Sequence, residues 1–328
     1  MQRLTLILSD LYLPEEGVGA GFPQTQALPA LSGLLRVARG PEHVGDWRRW
    51  LLYQLGGQLV ELPLAAICGF ERLTGAELET AWLATPVALE ARLDHVRMAD
   101  RGLLHLDPGE RAAWCAEFNR VFGPQYSLHD DGERAFILGG LPGGTKVIDP
   151  ARLLGAEIGP ALPNADAPEL RRLWAEIEMW LHGAALNDAR ERARKRRVSA
   201  LWLWGRDSDA RGSRGSDNRD VELYGGDPLI GALSRMRQAR LRGAPKALAQ
   251  VEGVRAHVVA EFAALTGDPQ EALAELDEHW FAAARHALDQ GSLSLLEIVV
   301  NDRCFRITPS ARLRFWRRRR GWLETLAR

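Results

Sequence analysis

The sequence predicts an α/β fold, and three stretches of the chain support this prediction. An apolar run over 4–8 is rich in β-favouring residues and stops at Ser9, which is typical of a buried strand. After a loop, leucines recur at helical spacing over 27–36, where Pro29 suits the first turn of a helix. Over 80–150 the pattern changes to short strands, one helix and a hairpin. Strand, loop and helix open an α/β domain, and the change of pattern indicates a smaller inserted α+β subdomain.

The domain organisation follows from that insertion. A length of 328 residues suggests two domains, because a domain usually has about 100–200 residues. We expect a core domain of 1–79 and 151–328 and an inserted α+β subdomain of 80–150. The core would be a sheet with helices on both faces. We expect the strand over 200–204 to lie in the same sheet as the first strand.

The remaining elements are predicted from the same periodicities. Apolar residues at helical spacing predict helices over 46–55, 75–83, 107–122, 168–181, 187–196, 228–241 and 269–289. β-Favouring runs predict strands over 82–89, 95–98, 126–128, 134–138 and 200–204, and a hairpin of 293–300 with 304–307. The stretch 206–220 holds no apolar residue larger than Ala, which predicts a mobile surface loop.

Composition and charge exclude several classes of protein. A hydrophobic share of 46% and a charged share of 26% are ordinary for a soluble globular protein. A net charge of -1 disfavours a protein that coats nucleic acid. No stretch is long and apolar enough to span a membrane, so we expect a cytoplasmic protein without membrane association. Cys68, Cys115 and Cys304 form no CxxC pair, which predicts buried free thiols and no zinc site.

Candidates for catalysis are few. Asp10 ends the first strand, and ligands of open α/β sheets bind beyond the carboxyl ends of strands. Asp10 could hold a divalent metal for phosphoryl chemistry, with Ser9 as the nucleophile. We favour a loop Asp that accepts backbone N–H groups, because the eight histidines form no metal-binding pattern. No GxSxG, P-loop or GxGxxG motif points to a serine hydrolase, an NTPase or a dinucleotide enzyme.

The segment 181–205 carries most of the functional information. A polar turn with Asn187 and Arg190 precedes a buried strand that brings Trp204 and Gly205 to its carboxyl end. Asn187 and Arg190 could orient an anionic group there. In that case Arg190→Ala would weaken anion binding with little loss of stability. Alternatively, Asn187 caps a helix and Arg190 is solvated, and the residues alone leave both interpretations open.

A basic run at the C-terminus also needs interpretation. Arg317 to Arg320 stand between Trp316 and Trp322, and basic residues beside tryptophans can bind nucleic acid. We favour a final helix that buries its Trp face and solvates its Arg face, because the net charge is near zero.

Several stretches resemble one bacterial family. Residues 181–205 resemble the signature of RpfE-type regulatory proteins, which are related to cofactor-independent phosphoglycerate mutases. The matching residues are His182, Asn187, Arg190, Leu201, Trp202, Trp204 and Gly205. Further stretches that resemble the family are Trp82 to Leu89, Asp227 to Leu229 and Phe315 to Arg318. The chain departs from the family at Ser199, where the family has Asn, and at 206–208, where it has a Gly-rich stretch.

The resemblance implies an alkaline-phosphatase-like core sheet. On that scaffold we favour a regulatory or ligand-binding pseudoenzyme without a metal or other cofactor, because the metal-binding residues of the mutases cannot be matched in this sequence. The ligand would be small and anionic or phosphorylated, and a protein partner would fit a regulatory role. The implied ligand-binding residues are Asn187, Arg190, Ser199, Trp204 and Gly205. One alternative is an active phosphomutase or phosphatase that uses Mn or Zn with Ser9 and Asp10. The other is a nucleic-acid-associated regulator that uses the Arg-rich C-terminal helix.

Overall fold

The computed structural model describes residues 3–9, 27–55, 58–132, 135–163, 167–206, 221–236, 240–242, 245, 247–251, 255–260, 269–300, 302–314, 316–317 and 321–326. In this part of the chain the strands are β1 (Arg3–Leu8), β2 (Arg39–His43), β3 (Trp82–Ala91), β4 (Val96–Leu103), β5 (Ser127–Asp130), β6 (Phe136–Gly139), β7 (Ala200–Trp204), β8 (Val221–Tyr224), β9 (Arg240–Arg242), β10 (Arg255–Ala260), β11 (Leu295–Val300) and β12 (Arg303–Ile307). The helices are α1 (Pro29–Val37), α2 (Trp47–Leu55), α3 (Leu64–Gly69), α4 (Ala76–Glu79), α5 (Pro108–Phe122), α6 (Pro168–His182), α7 (Ala185–Arg192), α8 (Pro228–Arg235), α9 (Pro269–Leu276), α10 (Ala283–Asp289) and α11 (Trp322–Leu326).

The chain divides into two compact units. Unit 1 comprises 1–57, 213–226 and 233–328, and unit 2 comprises 58–212 and 227–232. This division differs from the expected one, because unit 2 extends well beyond the expected subdomain of 80–150. The reason is that β7 pairs antiparallel with β3, which joins the tryptophan-bearing strand and the helices before it to unit 2.

Unit 1 is built on a seven-stranded sheet with the order β2-β12-β11-β1-β10-β8-β9. Strands β11, β1, β10, β8 and β9 run parallel, whereas β12 and β2 each pair antiparallel with their neighbour. The predicted α/β class and the predicted hairpin of β11 with β12 are therefore confirmed.

Both faces of this sheet are buried. Along β1, Leu4, Leu6 and Leu8 point to one face and join a hydrophobic cluster with α1, α9 and α10. Thr5 and Ile7 point to the other face and are buried as well. Alternation along a strand therefore places apolar surface on both sides of β1, as the sequence predicts for a covered sheet.

The first helix takes its N-terminal cap from a distant part of unit 1. The residue before α1 is Leu28, whose side chain cannot accept a hydrogen bond. The Asp277 carboxylate replaces it, accepting from the backbone N–H of Ala30 at 3.0 Å and of Leu31 at 2.8 Å. A carboxylate is favourable at this end of a helix, where N–H groups lack partners.

Replacing Asp277 with Ala should lower the free energy of unfolding by about 2 kcal/mol, because two buried N–H groups lose a charged acceptor. Urea denaturation would measure the change. Asp277→Asn is the control, since its single amide oxygen can satisfy one N–H group and the loss should be smaller. Equal stabilities of the wild-type and Ala proteins would contradict this role.

Unit 2 is built on a five-stranded sheet, ordered β4-β3-β6-β5, with β7 also paired to β3. The predicted hairpin of β5 and β6 is confirmed. The expectation that the tryptophan-bearing strand shares a sheet with β1 is wrong, because β7 lies in this second sheet. The reason is the long strand β3, because its residues 83–87 pair with all five residues of β7. The Trp174 ring of α6 packs edge-on against Trp202 of β7, with 4.7 Å between ring centroids.

The C-terminal part of unit 1 differs from the expected basic helix. A 3-10 helix over Pro309–Arg314 is followed by non-helical Trp316 and Arg317 and then by α11. Trp322 is 3% exposed, as expected, but Trp316 is 69% exposed. Trp322 joins the hydrophobic cluster of unit 1 through α11 whereas Trp316 does not, so the two rings do not share one buried helix face.

Two further expectations concern the cysteines and the absence of a membrane-spanning stretch. All three cysteines are free; Cys68 and Cys304 are buried, and Cys115 is half-buried. Burial raises the pKa of Cys115 and of Cys304 to about 12, which leaves both thiols protonated and unreactive at neutral pH. Among the described residues, none of the helices has the length and apolar character needed to cross a membrane.

Candidate anion-binding site

The predicted catalytic residues follow β1. Ser9 is buried directly after this strand, at the carboxyl edge of the parallel strands. Asp10 lies outside the described residues. Within the described ranges, no three His, Cys, Asp or Glu side chains are grouped so that they could hold a metal ion. The prediction for Ser9 and Asp10 therefore stays a prediction.

Asn187 lies inside α7 and is 1% exposed. Its amide nitrogen donates to the carbonyl of Leu181 at 2.8 Å and to that of Val198 at 2.9 Å. Its amide oxygen accepts from the backbone N–H of Val198 at 2.7 Å. Both N–H groups of the side chain are thus used inside the protein, where they join the end of α6 to the segment that leads into β7.

Arg190 is also internal, with 5% of its side chain exposed. Its Nε donates to the carbonyl of Arg196 at 2.7 Å, and its Nη1 donates to the Glu110 carboxylate at 2.8 Å. Glu110 belongs to the capping box at the start of α5, where Asp107 is its partner. Arg190 is therefore not solvated, and its guanidinium connects α7 to α5.

The other three predicted residues hold β7 in place. The backbone N–H of Ser199 donates to Val87 at 2.8 Å, and the indole N–H of Trp204 donates to the Thr85 hydroxyl at 2.9 Å. Gly205 has a φ of +77°, and a Cβ there would lie 3.0 Å from the Leu83 side chain. Glycine is needed at this position for both reasons.

The predicted ligand-binding residues do not converge on one point. Asn187 contacts the segment before β7, whereas Trp204 and Gly205 lie at its carboxyl end. The five residues of β7 separate the two groups by roughly 16 Å, at about 3.3 Å per residue. The group at the carboxyl end lies beside a charged side chain for which the described residues provide no acidic partner.

That side chain belongs to Arg206, the residue after Gly205. Its Nε and Nη1 donate to the backbone carbonyls of Gly143 and Glu79, and its guanidinium carbon lies 5.9 Å from the centroid of the Trp82 ring. The side chain is half-buried, and burial lowers the pKa of the guanidinium below its ordinary value. Neutral carbonyls and an aromatic ring are its partners among the described residues, and none of its described contacts is to a carboxylate.

The Gly143 carbonyl that accepts from this guanidinium lies in an exposed stretch of the chain. Gly143 and Gly144 are exposed, and a Cβ built on either would meet nothing within 4 Å. A guanidinium has five N–H donors, of which the two carbonyls use two. The remaining donors can bind a carboxylate or a phosphate group, because their planar geometry matches both anions.

Arg206 is not among the site residues predicted from the sequence, because it is the first residue of the polar stretch 206–220, which predicts a surface loop. One signal was present, namely a charged residue directly after an apolar strand that ends in glycine. Because β7 is held in the sheet, the backbone position of Arg206, two residues after its end, is fixed as well.

Comparisons with known proteins concern the fold. No protein-family model matches the chain, and no curated protein sequence matches it. The cofactor-independent phosphoglycerate mutase from Thermoplasma acidophilum DSM 1728 is similar in structure, with 17% identity, a TM-score of 0.38, and coverage of 93% of this chain and 89% of that chain. The PH0037 protein from Pyrococcus horikoshii has 11% identity and a TM-score of 0.42, and the match covers 94% of this chain and 87% of that chain. The likeness is one of mixed α/β architecture and carries no information about activity, and the resemblance to RpfE-type proteins stays a prediction.

Proposed function

We propose that this chain is a ligand-binding or regulatory protein that holds a small anion at Arg206, rather than a metal-dependent enzyme. The proposal depends on one observation: in the part of the chain that the structure describes, a half-buried guanidinium contacts two carbonyls and a ring but no carboxylate. Withdrawing a charge from water is costly unless an opposite charge compensates it. A bound phosphate or carboxylate would supply that charge, with the open glycines beside it giving access.

The buried acids of the described residues support the part of the proposal that concerns catalysis. Each of them accepts a hydrogen bond inside the protein; they are Asp131, Asp149, Glu222, Asp227, Asp277 and Glu297. Their partners include backbone N–H groups, the hydroxyls of Thr5 and Tyr224 and, for Glu297, the Arg306 guanidinium. Metal-dependent phosphoryl transfer needs carboxylates or imidazoles that converge on an ion, and these acids serve separate turns, caps and strands.

Inorganic phosphate is the probe for the proposed site. Calorimetric titration of the whole protein should show binding that Arg206→Gln weakens at least about tenfold, because hydrogen bonds to charged groups contribute about 1.5–3 kcal/mol each. Thermal unfolding without phosphate would show whether the variant is folded. Arg97→Gln is the matched control, since Arg97 is also partly exposed but is paired with Glu90 and Asp100. Phosphate affinity that is the same in wild type and Arg206→Gln would refute the site.

A separate measurement addresses catalysis. Hydrolysis of p-nitrophenyl phosphate with Mn²⁺ should be no faster with the wild type than with Asp10→Ala. Metal analysis of the purified protein should accompany the assay. Bound Mn or Zn, together with turnover that is lost in Asp10→Ala, would establish the metal-dependent enzyme instead.

A further inference from the structure

The segment 309–317 of unit 1 exposes two large apolar side chains. Leu313 is 63% exposed and Trp316 is 69% exposed, and they stand three residues apart. Single exposed apolar residues are common on protein surfaces, but two on one short segment form a small apolar surface. We refer to Leu313, Arg314, Trp316 and Arg317 as the C-terminal surface.

Two arginines hold this segment against the end of a helix. Arg314 donates to the carbonyl of Val37 at 3.1 Å, and Arg317 donates to the carbonyl of Ala38 at 2.5 Å. These carbonyls belong to the last residue of α1 and to the residue after it, which lack partners within the helix. Arginine is favourable at this end of a helix. The segment is thus anchored by charged side chains, and its apolar side chains stay exposed.

The charge of this region is strongly positive. Six arginines lie within 312–320, and no acidic residue occurs between Asp302 and Glu324. The described partners of Arg314 and Arg317 are backbone carbonyls, which carry no net charge that could neutralise the two guanidinium groups. Exposed apolar groups and concentrated positive charge are therefore combined on one segment.

We propose that the C-terminal surface docks on the headgroup region of an anionic lipid bilayer. Tryptophan and leucine insert into the boundary between headgroups and acyl chains, while nearby arginines attract anionic lipids. Leu313 favours a lipid over a nucleic acid, because an aliphatic side chain offers no ring on which a base could stack. The sequence predicted buried tryptophans here and no membrane association; the exposure of Trp316 changes the expected partner.

Sedimentation with vesicles tests the proposal. The whole protein should bind vesicles of 70% phosphatidylcholine and 30% phosphatidylglycerol and should bind pure phosphatidylcholine vesicles at least about tenfold more weakly, because each arginine near an anionic surface contributes about 1 kcal/mol. Binding should also weaken between 0.1 and 0.5 M NaCl, since salt screens exposed charges.

Two variants separate the apolar and the charged contributions. The double variant Leu313→Ser and Trp316→Ser should lower the partition coefficient at least about tenfold, because it removes the inserted side chains. The triple variant Arg318→Gln, Arg319→Gln and Arg320→Gln should do the same through loss of charge. Leu93→Ser is the control, since Leu93 is a fully exposed leucine of unit 2. Its partition coefficient should equal that of the wild type.

Several results would overturn the proposal. They are equal binding to neutral and anionic vesicles, no binding to either, or unchanged binding of the double variant. Binding of single-stranded RNA without vesicle binding, lost in the triple variant, would assign the surface to nucleic acid instead. Circular dichroism and thermal unfolding would show that each variant is folded.

Discussion

Replacing Asn187 with Ala should lower the free energy of unfolding by about 3 kcal/mol or more, which is a large share of the stability of a domain. The side chain makes three hydrogen bonds, to the carbonyls of Leu181 and Val198 and to the N–H of Val198. Alanine removes these partners from the N–H and the carbonyl of Val198, a residue that is 2% exposed, whereas the Leu181 carbonyl keeps the backbone N–H of Ala184. Each such group costs about 1–3 kcal/mol when it is buried. Urea denaturation followed by tryptophan fluorescence would measure the loss.

Asn119 provides a matched control for this prediction. Its amide nitrogen donates to the carbonyl of Leu128 at 3.0 Å, and its oxygen accepts from the N–H of the same residue at 2.7 Å. The bonding pattern resembles that of Asn187, but Asn119 is exposed, so water can replace the lost bonds. We expect Asn119→Ala to cost about 1 kcal/mol. Equal losses in the two variants would show that burial is not what makes Asn187 important.

Replacing Arg190 with Met should lower the free energy of unfolding by about 3 kcal/mol, because it removes one partner of a largely buried ion pair. Glu110 would keep its charge with 19% of its side chain exposed, and the carbonyl of Arg196 would lose its donor. Lys195, whose Nζ lies 3.3 Å from the Glu110 carboxylate, limits the loss. Sequence alone predicted weaker anion binding with little loss of stability for Arg190→Ala, and the internal contacts of Arg190 reverse that expectation.

Two measurements test this role. A double-mutant cycle of Arg190→Met with Glu110→Gln should give a coupling energy of at least about 1 kcal/mol, as expected for contacting residues. Arg120→Gln is the control, because Arg120 and Glu117 form an exposed pair that should contribute at most about 1 kcal/mol. Phosphate affinity of folded Arg190→Met should equal that of the wild type. A variant of wild-type stability that no longer binds phosphate would instead support the interpretation of Arg190 as an anion ligand.

Local patterns were sufficient for most of the elements. The hairpins of β5 with β6 and of β11 with β12 follow from β-favouring runs on either side of polar turn residues, and α5 and α6 follow from helical spacing after a proline. The helix predicted over 187–196 is confirmed in part, since α7 spans Ala185–Arg192, whereas the polar turn also expected at Asn187 is not found. A short helix rich in charged residues has weak apolar periodicity, so its formation depends on burial of Asn187 and Arg190 against neighbouring elements.

Two assignments needed information that local patterns do not contain. The sequence identified β7 as a buried strand but placed it in the sheet of β1, because strand propensity does not specify a partner strand. Its pairing with β3 depends on contacts between residues more than a hundred positions apart. The local pattern also does not distinguish Trp322, which is buried, from Trp316, which is exposed, because the two tryptophans flank the same run of arginines.

The amino-acid sequence by itself determined the α/β class, the alternation of β1 and most helix and strand positions, because these depend on periodicities of a few residues. Tertiary structure decided which polar side chains are structural and which remain available to a ligand. Asn187 and Arg190 are satisfied by backbone groups and by Glu110, whereas the described partners of Arg206 are two carbonyls and a ring. The physical reason is that the electrostatic environment of a side chain depends on neighbours brought together by folding, at distances along the chain that no local pattern records.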